Sequence, residues 1–304
     1  KAILYRDFLP AATIDDLLIV NNTATQLKLG TGGMDIVKSV LNKALYTSEK
    51  GQGHIMKVRY MPNQHSVLSI ESQESEQHDL FTRDFTLNKQ PVLLAELHSM
   101  IPVITCLVRT HTENKKLTII ISDEAALPLM LSEHMRLIKG NPNIQIITVG
   151  QAFGGDVEAV NIITALQYAK EKRESDFILV SLGPGVVGTG TKYGFSGMEL
   201  ASWSNTVGSL DGIQVFVPRL SFFESRNRHL GISHHTLTPL MRFTYVKNVV
   251  PLPRLPEKKQ LELLKEQALP LAEKHTLHWY ETDILDQLLT EALANYPVTI
   301  KTMG

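Results

Sequence analysis

From residue 91 onward one unit recurs in the sequence: a short, almost wholly apolar stretch, then a loop, then a helical pattern. Clear apolar stretches lie at residues 117–121, 144–149, 177–180 and 213–217, and weaker ones at 249–250 and 277–280. One of the predicted helices opens at Asp156, a suitable N-cap. Apolar strands that alternate with helices are typical of a parallel sheet covered on both faces. We therefore predict an α/β domain over residues 91–304, with a doubly wound, Rossmann-like parallel sheet.

The first 80 residues have a different pattern, in which short β-like runs are separated by turns. These runs lie at residues 17–20, 36–40, 54–60 and 67–70. Short strands at such close spacing are typical of a small barrel or sandwich. We predict a small, β-rich, barrel-like domain over residues 1–80, followed by the α/β domain. Because the chain begins at Lys1 and not at a methionine, we expect this first domain to extend upstream.

Composition limits the functions open to the chain. Its 304 residues carry 30 basic and 31 acidic side chains, a formal net charge of −1, whereas a nucleic-acid-binding domain has a strongly basic face. No apolar run approaches the roughly 20 residues that a membrane helix needs. The single cysteine, Cys106, lies in an apolar run and excludes an internal disulfide. We predict a cytoplasmic protein that binds neither nucleic acid nor membrane.

The loop after the third apolar strand has six glycines between residues 183 and 197. Between a strand and a helix N-terminus, such a loop presents unpaired N–H groups to an anion, and its hydroxyl groups suit phosphate or carboxylate oxygens. No Gly-Lys-Ser/Thr follows, so the loop is not a P-loop. A tight connection that binds nothing is the alternative. From this loop and the preceding one, the predicted ligand-binding residues are Gly154, Gly155, Gly183, Gly185, Gly188, Thr189, Gly190, Thr191 and Ser196.

The loop after the fourth strand adds basic and titratable side chains. Arg226 and Arg228 are planar donors suited to phosphate or carboxylate, and His229 lies beside them as a further ligand-binding candidate. His234 and His235 are candidate general acids or bases. Alternatively, their side chains point in opposite directions, one towards a backbone carbonyl and one towards solvent. We predict no metal site, because adjacent histidines rarely ligate one ion and no cysteine or carboxylate has zinc-like spacing.

Asp123 follows the first clear apolar strand directly and is the third candidate catalytic residue. A carboxylate at this position suits a ribose hydroxyl or a hydrated magnesium ion. An ion pair with Arg226 or Arg228 explains it equally well. The cofactor therefore stays unknown, with a nucleotide or magnesium as the candidates.

Several motifs together resemble a bacterial family known only as domain of unknown function 3866. They are NNTATQLKLGTGGMDIV (21–37), HIMKVRY (54–60), ELHSMI (96–101), TVGQAFGGDVEAV (148–160), GPGVVGTGTKYGFSG (183–197) and RNRHLGISHHTLT (226–238). The resemblance covers most of residues 1–250. It implies an architecture and candidate residues, and it implies no activity.

Two functions fit these observations, and the sequence leaves open whether the protein is an enzyme. In the first, the protein binds a small anionic ligand, such as a nucleotide or a phosphorylated or carboxylated metabolite, and the Arg/His loop catalyses acid–base or hydrolytic chemistry. In the second, it is an assembly or regulatory protein whose glycine-rich loops and Arg/His segment form a subunit or partner interface. A net charge near zero favours association, so we expect a homo-oligomer.

Overall fold

The computed structural model describes residues 1–28, 33–43, 53–123, 125 and 127–300, and the chain divides into two compact units, Lys1–Leu68 and Ser69–Gly304. The division comes earlier than the predicted junction. Ile70 already donates its N–H to the Glu158 carbonyl, so the chain joins the parallel sheet there. That the two units are separate domains stays a prediction.

The smaller unit contains two small sheets. In the first sheet, which has three strands, the central strand has one parallel and one antiparallel neighbour. The second sheet is a two-stranded hairpin. The elements are β1 (Ala2–Ile3), β2 (Leu18–Asn21), helix α1 (Thr23–Gln26), β3 (Asp35–Val40), β4 (Ile55–Lys57) and β5 (His65–Val67). The β-rich prediction is confirmed, but the described residues of this unit form no closed barrel.

The larger unit is built on an eight-stranded sheet in which every pair is parallel, in the order β15-β14-β11-β6-β10-β7-β8-β9. A separate antiparallel ribbon joins β12 and β13. The strands are β6 (Pro91–Ala95), β7 (Leu117–Asp123), β8 (Ile144–Gly150), β9 (Val157–Ala159), β10 (Phe177–Ser181), β11 (Ile213–Val217), β12 (Leu220–Ser221), β13 (Gly231–Ile232), β14 (Val249–Arg254) and β15 (Thr276–Glu281).

Helices cover both faces of this sheet. They are α2 (Met100–His111), α3 (Glu133–Ile138), α4 (Ile162–Gln167), α5 (Glu199–Ser209), α6 (His234–Arg242), α7 (Lys258–Ala272) and α8 (Thr282–Leu293). Side chains alternate along β7: Ile120 packs with the cluster of α4 to α7, whereas Ile119 and Ile121 pack with that of α2 and α3. The predicted α/β class with a doubly wound parallel sheet is confirmed. None of the described helices is long and apolar enough to cross a membrane.

The predicted helix that opens at Asp156 is wrong. The carboxylate of Asp156 accepts the Ile146 N–H at 2.8 Å, and the following residues pair with β8 as strand β9. The helix begins at Ile162, where the Asn161 side chain accepts the N–H groups of Ile163 and Thr164. The cap therefore lies five residues later than predicted.

The order of the strands creates a crevice at the carboxyl ends of β6 and β10, which are neighbours. The chain leaves β6 through α2 on one face of the sheet and leaves β10 through α5 on the other. Loops that diverge in this way from adjacent strands open the crevice in which α/β proteins bind ligands. The site described below lies at this crevice.

The buried face of α7 should contribute far more to the free energy of unfolding than its exposed face. Leu264 is fully buried and Leu269 is 70% exposed, five residues later on the same helix. We expect Leu264→Ala to lower the free energy of unfolding by about 2–5 kcal/mol, because the substitution leaves a cavity. Leu269→Ala should change it by less than about 0.5 kcal/mol. Urea denaturation of both variants measures the difference, and equal losses would contradict the packing.

Candidate functional site

Glu96 follows β6 directly, and its buried carboxylate is the centre of the site, only 3% exposed. Its Oε1 atom accepts a hydrogen bond from His235 Nδ1 at 2.5 Å and lies 3.6 Å from Arg219 Nη1. Arg219 is only 5% exposed, so both charges are withdrawn from water. A buried carboxylate is tolerated when it is paired and hydrogen-bonded, as it is here.

The backbone of Arg219 ties the end of β11 to the start of α6. The Arg219 N–H donates to Thr236 Oγ1 at 2.9 Å, and its carbonyl accepts the N–H of Ser233 at 2.9 Å. The Ser233 side chain caps α6 by accepting the His235 N–H. These bonds hold His234 and His235, on the first turn of α6, beside Glu96 and Arg219.

His229, His234 and His235 form a cluster in which one ring nitrogen from each lies within 4.8 Å of the others. Their ring centroids are 4.4–5.0 Å apart, and His229 Nδ1 lies 2.7 Å from Ser233 Oγ. Burial, and then nearby cationic and imidazole groups, lowers the pKa of His229 and of His234 to about 4. Both rings are therefore neutral at pH 7, with lone pairs that can bind a proton or a metal ion.

The glycine-rich loop reaches this cluster as a short hairpin over residues 187–196. The Thr189 N–H donates to the Gly194 carbonyl, and the Ser196 N–H donates to that of Val187. The Phe195 ring stacks on the His235 ring, with centroids 3.8 Å apart and planes at 3°. The hairpin thus forms one wall of the site.

Two positions in this loop favour glycine, one because of space and one because of backbone conformation. A Cβ atom at Gly197 would lie 3.0 Å from Glu96 Cγ, a tight contact that would push the buried carboxylate away by a few tenths of an ångström. Gly190 has φ +76°, a left-handed conformation that favours glycine, and its Cβ position is 3.7 Å from Arg228 Nη2, an ordinary contact. Glycine therefore lets the loop approach Glu96 closely and turn beside Arg228.

In the structure, some of the predicted site residues lie close together and the others do not. It places six of the predicted residues around Glu96: Gly188, Gly190, Arg228, His229, His234 and His235. Gly183 is buried two residues after the end of β10, and Gly185 is exposed with φ +93°. Asp123 ends β7, and its side chain lies outside the described part of the chain.

The predicted phosphate-binding hydroxyl groups are used within the hairpin itself. Thr189 Oγ1 bonds with Thr191 Oγ1 and donates to the Gly194 carbonyl, and Ser196 Oγ accepts the Val187 N–H at 2.7 Å. These groups fix the shape of the hairpin. The sequence could not distinguish a hydroxyl that binds a ligand from one that closes a turn.

The other predicted anion donors also have partners within the protein. Arg226 donates to both oxygens of Glu224, at 2.9 and 2.5 Å, and this pairing holds the pKa of Glu224 at about 2. Gly154 N–H donates to Glu158, and Gly155 N–H donates to Thr148. These contacts give no support to a ligand role for Arg226, Gly154 or Gly155.

Sequence reasoning missed Glu96, Arg219 and Phe195 as parts of the site. β6 is only five residues long and begins with a proline, so its apolar run carried little signal. Had that strand been recognised, the rule that ligand-binding residues follow parallel strands would have selected Glu96. Nothing in the sequence shows that Phe195 stacks on a histidine.

The family model of a protein of unknown function, DUF3866, matches residues 1–304. The chain belongs to this family. The resemblance seen in the sequence motifs is therefore confirmed. No curated protein matches the sequence. Membership of DUF3866 fixes no activity, so any function must be argued from the site.

A cleft of about 490 Å³ lies beside the hairpin in this DUF3866 chain. Its lining is largely apolar and includes Phe195, the residue that stacks on His235. The other lining residues are Ala125, Leu182, Val187, Thr189, Gly194, Ser196 and Glu199. This volume accommodates a small molecule next to the histidine cluster.

Gln267 on α7 positions the segment that carries His229. Its Oε1 atom accepts the Ile232 N–H at 2.7 Å, and its Nε2 atom donates to the Leu230 carbonyl at 2.9 Å. Gly231 has φ +71°, a left-handed conformation, and a Cβ atom there would also clash with the same Oε1 atom, so glycine is favoured. The side chain of Gln267 therefore makes the backbone hydrogen bonds that a neighbouring strand would otherwise make with this segment.

We expect Gln267→Ala to leave two backbone groups without partners and to destabilise the protein by about 1–3 kcal/mol. Amide hydrogen exchange should accelerate in residues 229–232. The control is Gln287→Ala, since Gln287 is exposed and bonds only one turn along α8, to Glu291. Unchanged exchange at residues 229–232 in Gln267→Ala would show that Gln267 does not hold this segment.

Proposed function

We propose that the protein binds a small anionic ligand, such as a nucleotide or a phosphorylated or carboxylated metabolite, at this crevice, and that His235 transfers protons there. The observation that carries the proposal is the buried hydrogen bond between Glu96 and His235. Arg219 and Arg228 supply positive charge beside it.

The Glu96 contact fixes the tautomer of His235. Because Nδ1–H donates to the carboxylate, the neutral ring carries its lone pair on Nε2, which can accept a proton from a ligand. The imidazolium that then forms is stabilised by the same carboxylate, as in catalytic triads. His235 is therefore the proposed general base and acid of the site, and Glu96 is its positioning residue.

The charges of the site favour an anion. Arg219 offsets the Glu96 carboxylate, so Arg228 adds positive charge at the histidine cluster, while Glu199 lines the adjoining cleft. Arg228 also contributes to the lowered pKa of His234, which indicates that its charge acts within the cluster. At Gly188 and Gly190 no side chain separates a ligand from His235 and Arg228. A phosphate or carboxylate group fits this surplus of positive charge.

A thermal-shift measurement with inorganic phosphate, AMP and ATP tests the proposal. A ligand at 100 times its dissociation constant stabilises the native state by about 2.7 kcal/mol, which raises the midpoint of a domain of about 200 residues by roughly 5–10 °C. We expect Arg228→Ala to abolish that rise while the ligand-free midpoint stays unchanged.

Arg242→Ala is the matched control, because Arg242 is an exposed arginine at the last turn of α6. It should keep the full ligand-induced rise. If Arg228→Ala kept the rise as well, Arg228 would not bind the anion. If none of the three anions raised the midpoint of the unmodified protein, anion binding at this site would be contradicted.

Exposed aromatic side chains favour a second candidate, a homo-oligomer. Tyr193, on the hairpin, meets Phe243 edge to face at 5.7 Å, and both remain exposed to solvent, as does Tyr245. Exposed apolar groups of this kind are common at subunit interfaces. In this arrangement the hairpin that covers His235 also contacts a second copy of the chain.

Light scattering tests the oligomer. We expect a mass of at least twice the 34.0 kDa of one chain, and the double change Tyr193→Ser with Phe243→Ser should reduce it to that of the monomer. Tyr280→Ser, at an exposed tyrosine on β15, should leave the mass unchanged. A monomeric unmodified protein would contradict this second candidate.

A further inference from the structure

We propose that His229, His234 and His235 bind one divalent transition-metal ion, with zinc as the expected metal. One ring nitrogen from each histidine already lies within 4.8 Å of the other two. A tetrahedral ion bound at about 2.0–2.1 Å needs nitrogen atoms about 3.3 Å apart, so the rings close by at most about 1.5 Å. The inference goes beyond the proposed function, since metal binding here does not require an anion. When zinc is bound, Nε2 of His235 is a ligand and no longer accepts a proton, so the proton transfer proposed above belongs to the zinc-free protein.

Hydrogen bonds orient two of the three rings for this role. Nδ1 of His235 donates to Glu96, and Nδ1 of His229 is bonded to Ser233 Oγ. Each bond occupies Nδ1 and leaves Nε2 as the atom that can ligate. Metal-bound histidines almost always make such a second bond to a carboxylate, hydroxyl or carbonyl oxygen, which fixes the tautomer and raises the basicity of the ligand.

The third ring has a polar atom that the protein does not satisfy. Nε2 of His234 is buried and has no hydrogen-bond partner among the described residues. An unsatisfied buried polar atom costs about 1–3 kcal/mol. A metal ion in the cluster would accept its lone pair and remove that cost.

Helix geometry explains how two adjacent histidines share one ion. The prediction of no metal site from the sequence rests on the rarity of adjacent histidines that ligate one ion and on the lack of a cysteine or carboxylate at zinc-like spacing. His234 and His235 lie on the first turn of α6, where successive side chains are separated by about 100° and not by 180°. Their ring centroids are only 4.4 Å apart. His229 approaches from the preceding turn and completes the set.

The donor set indicates the class of metal. Three imidazoles without a thiolate suit zinc and the neighbouring ions nickel, cobalt and copper. Magnesium prefers oxygen ligands and fits this cluster poorly. Three protein ligands leave one position for water or a ligand atom, the arrangement of catalytic zinc sites. Because Arg219 already offsets Glu96 and Arg228 adds positive charge, that fourth ligand should be anionic.

The test measures zinc binding to the full chain by competition with a chromogenic chelator. The protein is first stripped of metal with EDTA and kept free of phosphate. We expect one equivalent of zinc per chain. Cobalt should bind at the same site and give the intense visible absorption of a tetrahedral complex. Magnesium should not compete. Failure of zinc to bind, or binding that magnesium displaces, would overturn the proposal.

Variants locate the ion. Each of His229→Gln, His234→Gln and His235→Gln should weaken zinc binding by more than the roughly 10- to 100-fold that loss of an outer partner costs. Glu96→Gln leaves the three ligands in place but changes the partner of both His235 and Arg219, and its effect should fall within that 10- to 100-fold range. His278→Gln, at an exposed histidine on β15, is the matched control and should bind as the unmodified protein does. Unchanged affinity in the three cluster variants would overturn the assignment.

A measurement on the unmodified protein guards against variants that fail to fold. The chain has 11 histidines, and imidazole ¹⁵N spectra during zinc titration should show coordination shifts in three of them. Shifts confined to other histidines would refute the site. Repeating the phosphate thermal shift on the zinc-free protein separates the two proposals: zinc bound without any phosphate effect removes the anion proposal alone, and a phosphate effect without zinc binding removes the metal site alone.

Discussion

The buried carboxylate of Glu96 is the constraint on which the rest of the site depends. Leaving this charge without partners at the carboxyl end of β6 would cost several kcal/mol, by rough estimate. Arg219 and His235 supply the partners, so the end of β11 and the start of α6 must meet at β6. Residue 197 is also constrained, because a side chain there would make a tight contact with the Glu96 carboxylate, and glycine makes none.

The parallel sheet explains why chain segments far apart in sequence meet there. β6 lies between β10 and β11, so the residues that follow these three strands are neighbours at one edge. The hydroxyl groups of the hairpin and the side chain of Gln267 then hold two of the loops by contacts within the protein. The precision of the site thus comes from hydrogen bonds in the loops, and its location comes from the strand order.

Local patterns in the sequence were sufficient for the α/β class, since long apolar strands such as β7 and β8 carry a strong signal. These patterns gave wrong predictions at residues whose side chains can serve either of two structural or binding roles. Asp156 has the chemistry of a helix cap, yet its carboxylate bonds to the edge of β8. Arg226 has the chemistry of an anion donor, yet Glu224 lies two residues away and pairs with it. Choosing between such uses requires long-range contacts that a single sequence does not display.

Three residues of this site each have a buried polar atom without a hydrogen-bond partner in the described part of the chain. Among the described residues, Oε2 of Glu96, Nη2 of Arg219 and Nε2 of His234 are buried without hydrogen-bond partners. Native proteins pair nearly all such atoms, and those left over mark places where water, an ion or a ligand is bound. These three atoms are a hydrogen-bond acceptor, a hydrogen-bond donor and a ring nitrogen. An apolar group in the crevice would pair with none of them. Their combination fits the polar or charged occupant proposed above.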